Sequence, residues 1–585
     1  MRSRSKRLTG LVAVAAASLL GIAACGGGST SNNNPATTNA GYADCDKNPN
    51  TCNSGKTKPG GEYIFALEQA FTSWNIYTSE GNSLVGAQAM SGLLPQVFKA
   101  DPSGTLKLNT NLMVSAELTN QSPETIVYKI KPEAVWNDGT AISADDFVLG
   151  WKQNTGSKTD CTKCDSAGTA GFEIIKSIVA SDNGKTATVT FQDGKVYADW
   201  KGLWSTDGLY PAHLATKQGF DLSKPDGVNS AADWFSATTP TWSGGPFVID
   251  SYTKDQSLVL KKNDKWYGAT KSSLDKLVFK FVIEQASLAP ALQNKEITGL
   301  SPQPNADLVT QISQVPGVIS HIGHGYQWEH IDLNTSNKYL ADVALRQAIF
   351  TAINVKTIID KTYGVFDKAA KPLGNHNFFP GDPHYKDVVA ATGQGSGDAD
   401  KAKKILTDAG YNLTGGKLMA KSGEAVPSLR FRYTKGNQLR QTTAELVQAA
   451  LKNIGIDMKI EVTETLGKTL SSGDFDLMIF AWVGSPLFQS SAEAQWETGG
   501  GSNYGKYSNP DVDKLTKQGG SEFNLDKSAD LLNQADELMS KDAYVLPITQ
   551  KPTLTATYQN WVNIRDNASQ WSPTYNLQEW GQKAS

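Results

Sequence analysis

SLRFRYTKGNQLRQTTAELVQAALKNIGIDMKIEVTE, residues 428–464, is the stretch that decides the fold class. SLRFRYTK alternates apolar and polar residues, as a half-buried strand does. QLRQTTAELVQAALKNIG reads as a helix and DMKIEVTE as a second strand. The helix ADKAKKILTDAGY precedes this unit, and DFDLMIFAWVG follows it as a strand running into a loop. This β-α-β alternation over 399–484 predicts an open α/β lobe. In such lobes, loops at the ends of the strands are where ligands bind.

Upstream, VISHIGHGYQWEHIDLN (318–334) predicts one long strand or two consecutive ones. DVALRQAIFTAINVKTIIDKTYG (342–364) predicts one long amphipathic helix or two. WSGGPFVIDSYTKDQSLVLKKNDKWYG (242–268) reads as a hairpin. In EAVWNDGTAISADDFVLGWK (133–152), Asn137-Asp138-Gly139 signals a turn, and Ser143 with Asp146 marks a helix start. The 585 residues suffice for roughly three or four domain-sized units. Net charge is -3, and removal of Arg2, Arg4, Lys6 and Arg7 takes it to -3 - 4 = -7. A mildly acidic body argues against a nucleic-acid partner, because phosphate binding needs a basic footprint.

The amino terminus has the order of an export signal: a basic region, an apolar stretch from Leu8 to Leu20, then small residues. Residues 26–60 are Gly, Ser, Asn, Thr and Pro with almost nothing apolar, the composition of a tether that is flexible except where a small disulfide closes it. Setting Cys25 aside, Cys45, Cys52, Cys161 and Cys164 form an even set, which in an exported protein reads as disulfides. Three pairings are open, and proximity favours Cys45–Cys52 with Cys161–Cys164. The Cys45…Cys52 spacing is wrong for a zinc ribbon, and the CTKC motif sits in a loop rather than opening a helix. His321, His324 and His330 lie on a strand whose side chains alternate between faces, so no metal site is expected there. No cofactor is expected.

Six segments, taken in order, resemble one family. They are AVWNDGTAISADDFVLGW, SGGPFVIDSYTKDQSLVLKKNDKWYG, LRQAIFTAINVKTIIDKTYG, AELVQAALKNIGIDMKIE, SNYGKYSNPDVDKL and the closing LPITQ…NLQEW. The family is the extracytoplasmic solute-binding proteins of ABC importers, of the oligopeptide/dipeptide/nickel class (family 5), and the resemblance covers about 62–580. It implies a two-lobed periplasmic-binding-protein-like α/β fold of type II, with a hinged cleft and an extra inserted domain. The implied boundaries are a lipoprotein signal peptide at 1–24 and a flexible tether at 25–60. Lobe I would comprise 61–105, 240–325 and 545–585, with an inserted subdomain at 106–239, and lobe II would be 326–544. The chain should cross between lobes near His324–Trp328 and Leu546–Gln550. Ile22-Ala23-Ala24-Cys25 resembles a lipobox, which implies diacylation of Cys25 and stable anchoring on the outer face of a membrane.

Related peptide binders present a Trp followed by an acid that pairs with the peptide's amino group. This chain keeps Trp482 but continues Val483-Gly484-Ser485, without the acid. These four residues are the first candidates for the cleft. The resemblance adds Tyr326 and Trp328 on the crossing strand. Trp74 and Asn75 after the first strand, Tyr433 and Asn437 at the end of SLRFRYTK, and Trp242 before SGGPF complete the set. Glu493 or Glu329 are the available substitutes for the acid. Arg346, in a mostly apolar helix, reads first as a structural ion pair or carbonyl contact. The implied function is capture of a peptide or peptide-like solute by hinge closure, by a monomer that delivers it to ABC permease subunits. The alternative is a same-fold envelope lipoprotein acting as sensor or scaffold. A secreted hydrolase is less supported: no GxSxG or HExxH motif is present, and no catalytic residue is assigned.

Overall fold

The computed structural model describes residues 41–484 and 487–584. Cys25 with its signal segment, and Ser485, lie outside the described residues. The unit at 428–464 forms as its pattern dictates. Strand Leu429–Thr434 buries Leu429, Phe431 and Tyr433 on one face. Asn437 caps the next helix, Gln438–Lys452, by accepting from the Arg440 backbone N–H at 3.1 Å. That helix lays Ala444, Val447 and Leu451 on the sheet. Burying a Val or Leu side chain stabilises by roughly 1.5–3 kcal/mol. Strand Met458–Thr463 then pairs in parallel, from Leu429↔Met458 to Thr434↔Thr463.

A ten-stranded mixed sheet runs through the molecule. One half holds Met458–Thr463, Leu429–Thr434 and Leu477–Val483, and the other holds Gly299–Leu300, Glu62–Leu67, Lys276–Phe281, Ser257–Lys262 and Phe247–Thr253. Two antiparallel strands, Val318–Leu333 and Val545–Tyr558, lie between them and belong to both halves. Each half has its own apolar cores, so the molecule has two lobes. Tyr63, Phe65 and Trp580 belong to the core of lobe I, and Ile331, Ile349 and Phe431 to one core of lobe II. Residues 318–333 thus make one long strand, whereas 342–364 break into two helices, Val343–Ala352 and Val355–Lys361. Asn354 causes the break by capping the second helix. Arg346 meets carbonyls: its Nε donates to the oxygen of Asp542 at 2.9 Å and its Nη1 to that of Leu340 at 2.8 Å.

A second, four-stranded antiparallel sheet lies within residues 113–191, in the order Met113–Gln121, Glu124–Ile130, Thr186–Phe191, Ile175–Ser181. It packs on helix Ala144–Asn154, which opens with a capping box of Ser143 and Asp146. The Asp146 carboxylate also accepts from the Trp136 indole and the Ala212 N–H. Phe147, Trp136 and Val189 merge into the lobe I core rather than forming a separate one. Both short-range disulfides, Cys45–Cys52 and Cys161–Cys164, are formed.

The expectation of a tether as far as residue 60 needs correction. Residues 41–53 fold as a disulfide-closed clip and dock on lobe I. The Asn53 amide donates to the Ile564 carbonyl at 2.8 Å, Arg565 donates to the Cys52 carbonyl at 2.8 Å, and His321 pairs with Asp46 at 3.0 Å. Tyr42, Cys45 and Cys52 supply the apolar surface that composition alone made easy to overlook. Among the described residues, no helix is long and apolar enough to cross a membrane.

Candidate functional site

The two crossing strands lose register at one level. His324 faces Pro552 and Trp328 faces Gln550, so Gly325, Tyr326 and Gln327 lie opposite Lys551 alone. Extra residues on one strand break the ladder and bend it, and Pro552 has no N–H to restore it. A second slip follows at Glu329/His330. This irregular level separates the lobes and is the natural hinge.

Beside the hinge lies a cavity of about 460 Å³, within the size range of small-ligand sites. Lobe I contributes Asn82–Leu84, Phe98, Leu106, Ser205 with Thr206, and Gln570 with Trp571. Gln327 comes from the hinge, and Val483, Gly484 and Leu487 from lobe II. Val483 is 53% exposed, and the Gly484 N–H donates to the Tyr326 carbonyl at 2.5 Å. The strand that ends here, Leu477–Val483, pairs with its parallel neighbour only at Phe431↔Leu477 and Arg432↔Met478. Ile479–Val483 therefore run past that neighbour and leave a ladder edge without a strand partner among the described residues.

The lobes touch across the cleft. Asp199, 4% exposed on the lobe I side, accepts the Ser490 backbone N–H at 2.7 Å. That N–H belongs to the first turn of helix Phe488–Trp496 in lobe II. Burial pushes the Asp199 carboxyl up to about 6. The Leu487 side chain lies over Gly202, where a Cβ would collide with it, and Phe523 packs on the lobe I core. Tyr326 reaches from the hinge to both sides. Its hydroxyl lies over Gly104, which has φ +81° and no room for a Cβ, and its ring meets Phe379 at 5.7 Å.

Charges at the hinge are committed to one another. Glu329 is 1% exposed and accepts from Arg440 Nε at 2.5 Å and from the Tyr363 hydroxyl at 3.1 Å. Burial pushes its carboxyl up, but the Arg440 guanidinium more than offsets this and holds it below the usual range. Lys551 donates to Gln303 Oε1 at 3.1 Å, and burial pushes its ammonium pKa down against the pull of Glu329. Glu493 lies beside Glu497, Asp199 and Glu173, and burial together with this repulsion takes it to about 7.

Of the residues expected from sequence, Val483 and Gly484 line the cavity and Tyr326 spans the cleft. Trp482 does not line it. Its ring stacks on Tyr504 (5.6 Å, 13°) and lies parallel to His330 (6.1 Å, 11°). Trp328 is core, 2% exposed against His330 and His376. Trp74 packs edge-on to Phe71 and Tyr252, and Trp242 sits among Trp136, Tyr210 and Phe235. The buried amide of Asn75 donates to Gln153 Oε1. Tyr433 is in the lobe II core, and Asn437 is spent as the helix cap. His321, His324 and His330 each take a separate aspartate: Asp46, Asp367 and Asp332. Among the described residues, no cluster of three metal-ligating side chains occurs. Sequence reasoning missed Asn82, Thr206, Gln327 and Gln570. Gln327 alone carried a signal, as the neighbour of two chosen residues on a strand with alternating faces.

Comparison with known proteins is concordant. A model of bacterial extracellular solute-binding proteins, family 5 (middle region), matches residues 110–504. The oligopeptide-binding protein OppA of Mycobacterium tuberculosis (strain H37Rv) is 30% identical over 514 residues, 86% of this chain and 82% of that one. Among solved structures, the periplasmic EDTA-binding protein EppA superposes with a TM-score of 0.86 at 33% identity, over 92% of this chain and 99% of that one. The oligopeptide-binding protein AppA of Bacillus subtilis, in complex with a nonapeptide, shares the fold at TM-score 0.74 and 21% identity, over 90% of this chain and 100% of that one. A hinge built on two crossing strands, a cavity between the lobes and these matches lead to one conclusion: the chain belongs to the family 5 bacterial extracellular solute-binding proteins, which bind and do not transform their solutes.

Proposed function

We propose that this protein is the solute-binding lipoprotein of an ABC importer, held to the outer face of the cell membrane by lipid on Cys25. It captures a peptide or peptide-like solute by closing two lobes about the hinge at Gly325–Gln327, and presents the closed form to a permease. The observation that carries the peptide reading is the ladder edge at Ile479–Val483, which reaches the cavity at Val483 and has no strand partner on that side among the described residues. An extended peptide adds to such an edge through main-chain hydrogen bonds, with pockets for alternate side chains. The names of the relatives support the same reading: one is called oligopeptide-binding, and another was solved with a nonapeptide.

Native mass spectrometry of the protein purified from its own host is the direct test, and a retained peptide is the expected result. A bound solute at about a hundred times its dissociation constant should raise unfolding stability by about 2.7 kcal/mol. Turnover of the retained solute, or no saturable binding of any solute, would sink the proposal. Mass spectrometry of the mature amino terminus should find a lipidated residue 25, and an unmodified terminus would remove the anchor from it.

A further inference from the structure

We infer that the ligand is uncharged where it fills the cavity between the lobes: a peptide whose termini are blocked or joined, rather than a free zwitterionic peptide. This deepens the reading above and rests on it.

The argument begins with the lining. Among the described residues, no side chain that lines the cavity is ionisable. A free peptide brings an ammonium and a carboxylate. Taking either out of water without a counter-charge costs several kcal/mol, and a single neutral hydrogen bond does not recover it. Of the nearby carboxyl groups, Asp199 holds the Ser490 N–H and Glu329 is paired with Arg440. Asp207 and Glu493 do not line the cavity.

The cavity does offer neutral dipoles. The Gln96 amide donates to the Ser205 carbonyl, the Ser83 hydroxyl caps a helix, and the Gln570 amide donates to the Thr206 carbonyl. The side chains of Asn82, Thr206 and Gln327 make no hydrogen bond among the described residues and line the cavity from lobe I and the hinge. Amide side chains both donate and accept, which matches a peptide group. Leu84, Phe98, Leu106, Val483, Leu487 and Trp571 supply apolar walls between them. Apolar walls spaced by neutral amides suit a peptide with apolar side chains better than a sugar, whose hydroxyls would leave those walls unmatched. They also leave no cation for a polyanionic chelate of the kind named for the EDTA-binding relative.

The test presents full-length protein with two random tetrapeptide libraries, one zwitterionic and one N-acetylated and C-amidated. Retained species are read by native mass spectrometry and their affinities by calorimetry. Blocked members should bind at least tenfold tighter than their zwitterionic counterparts. Equal or tighter binding of zwitterions overturns the inference and leaves the peptide reading standing. Retention from neither library overturns both. A neutral oligosaccharide captured instead from a glycan mixture, or an Fe(III)–EDTA complex raising the melting temperature as much as a blocked peptide, also overturns it. Gln327→Glu supplies a positive control by placing a carboxylate in the cavity, and Asn82→Asp does so from the opposite wall. In at least one folded variant, affinity for peptides with a free amino group should rise at least tenfold. No gain in either means that missing charge is not what excludes them.

Discussion

Trp482 sits between the rings of Tyr504 and His330, and its indole N–H is buried without a partner among the described residues. Its contribution is therefore packing. Trp482→Ala should cost about 2 kcal/mol in urea unfolding of the ligand-free protein, less than a fully buried Trp because the ring is only half-buried. An unchanged midpoint with weakened binding would return it to the cleft. Glu329 and Arg440 illustrate a second residue-level effect. Glu329→Gln leaves a buried guanidinium without its charge partner and should destabilise by about 3–5 kcal/mol, whereas pairing it with Arg440→Met should restore most of that. Legibility was poorest at this scale. Trp74 and Trp242, beside strand ends, and Trp328, on the crossing strand the resemblance pointed to, were candidates because an aromatic residue is equally suited to stack on a solute or to fill a core. Nothing local distinguishes the two. Only the convergence of distant segments, such as Phe235 and Trp136 on Trp242, does.

In the first turn of helix Phe488–Trp496, the Ser490 N–H donates to Asp199 in the opposite lobe, so that donor is satisfied by Asp199 only when the lobes meet. Loss of a helix cap costs about 1 kcal/mol, and Asp199→Ala should weaken ligand affinity roughly fivefold with little change in the ligand-free melting temperature. The pH dependence has a definite sign. With the lobes in contact, Asp199 is buried and its pKa is raised from an ordinary 3.8 to about 6. Its protonated form therefore favours closure, and the favourable contribution disappears as pH rises through about 6. Glu493, at about 7 and repelled by Asp199, acts in the same direction. Affinity should increase from pH 7 to pH 5 in calorimetry, and Asp199→Asn, which keeps the acceptor without the charge, should flatten that slope. The crossing strands were legible in outline, since the landmarks at His324–Trp328 and Leu546–Gln550 fall on the irregular level of the sheet. The slip itself was not, because register is decided by the partner strand more than two hundred residues away.

At the scale of the molecule, the two lobes and their mixed sheet were readable because each β-α-β unit carries its periods in contiguous sequence. The cavity was not, because its walls come from near residues 83, 98, 206, 327, 484 and 570. The Cys45–Cys52 closure was legible, but the docking of 41–53 on lobe I was not: a few apolar residues suffice when a disulfide with a sequence separation of 7 closes the loop. Such a link restrains the open chain by about 2.5 kcal/mol. Cys45→Ser with Cys52→Ser should expose this segment to limited proteolysis while the main unfolding transition holds. Cleavage equal to that of the parent protein would mean that the docking contacts suffice alone. The docked clip also changes the mechanics of capture. From Cys25 to Gly41 the chain has sixteen residue steps, at most about 58 Å when fully drawn out. A tether ending at residue 61 would have thirty-six steps, or at most about 130 Å. For the anchor proposed at Cys25, the run ahead of the clip is thus less than half the length of a tether ending at residue 61, and the clip is moored to lobe I beside the fulcrum. Tension from a membrane would be borne by one lobe with almost no lever arm about the hinge, so the other could swing shut on its cargo without working against the anchor.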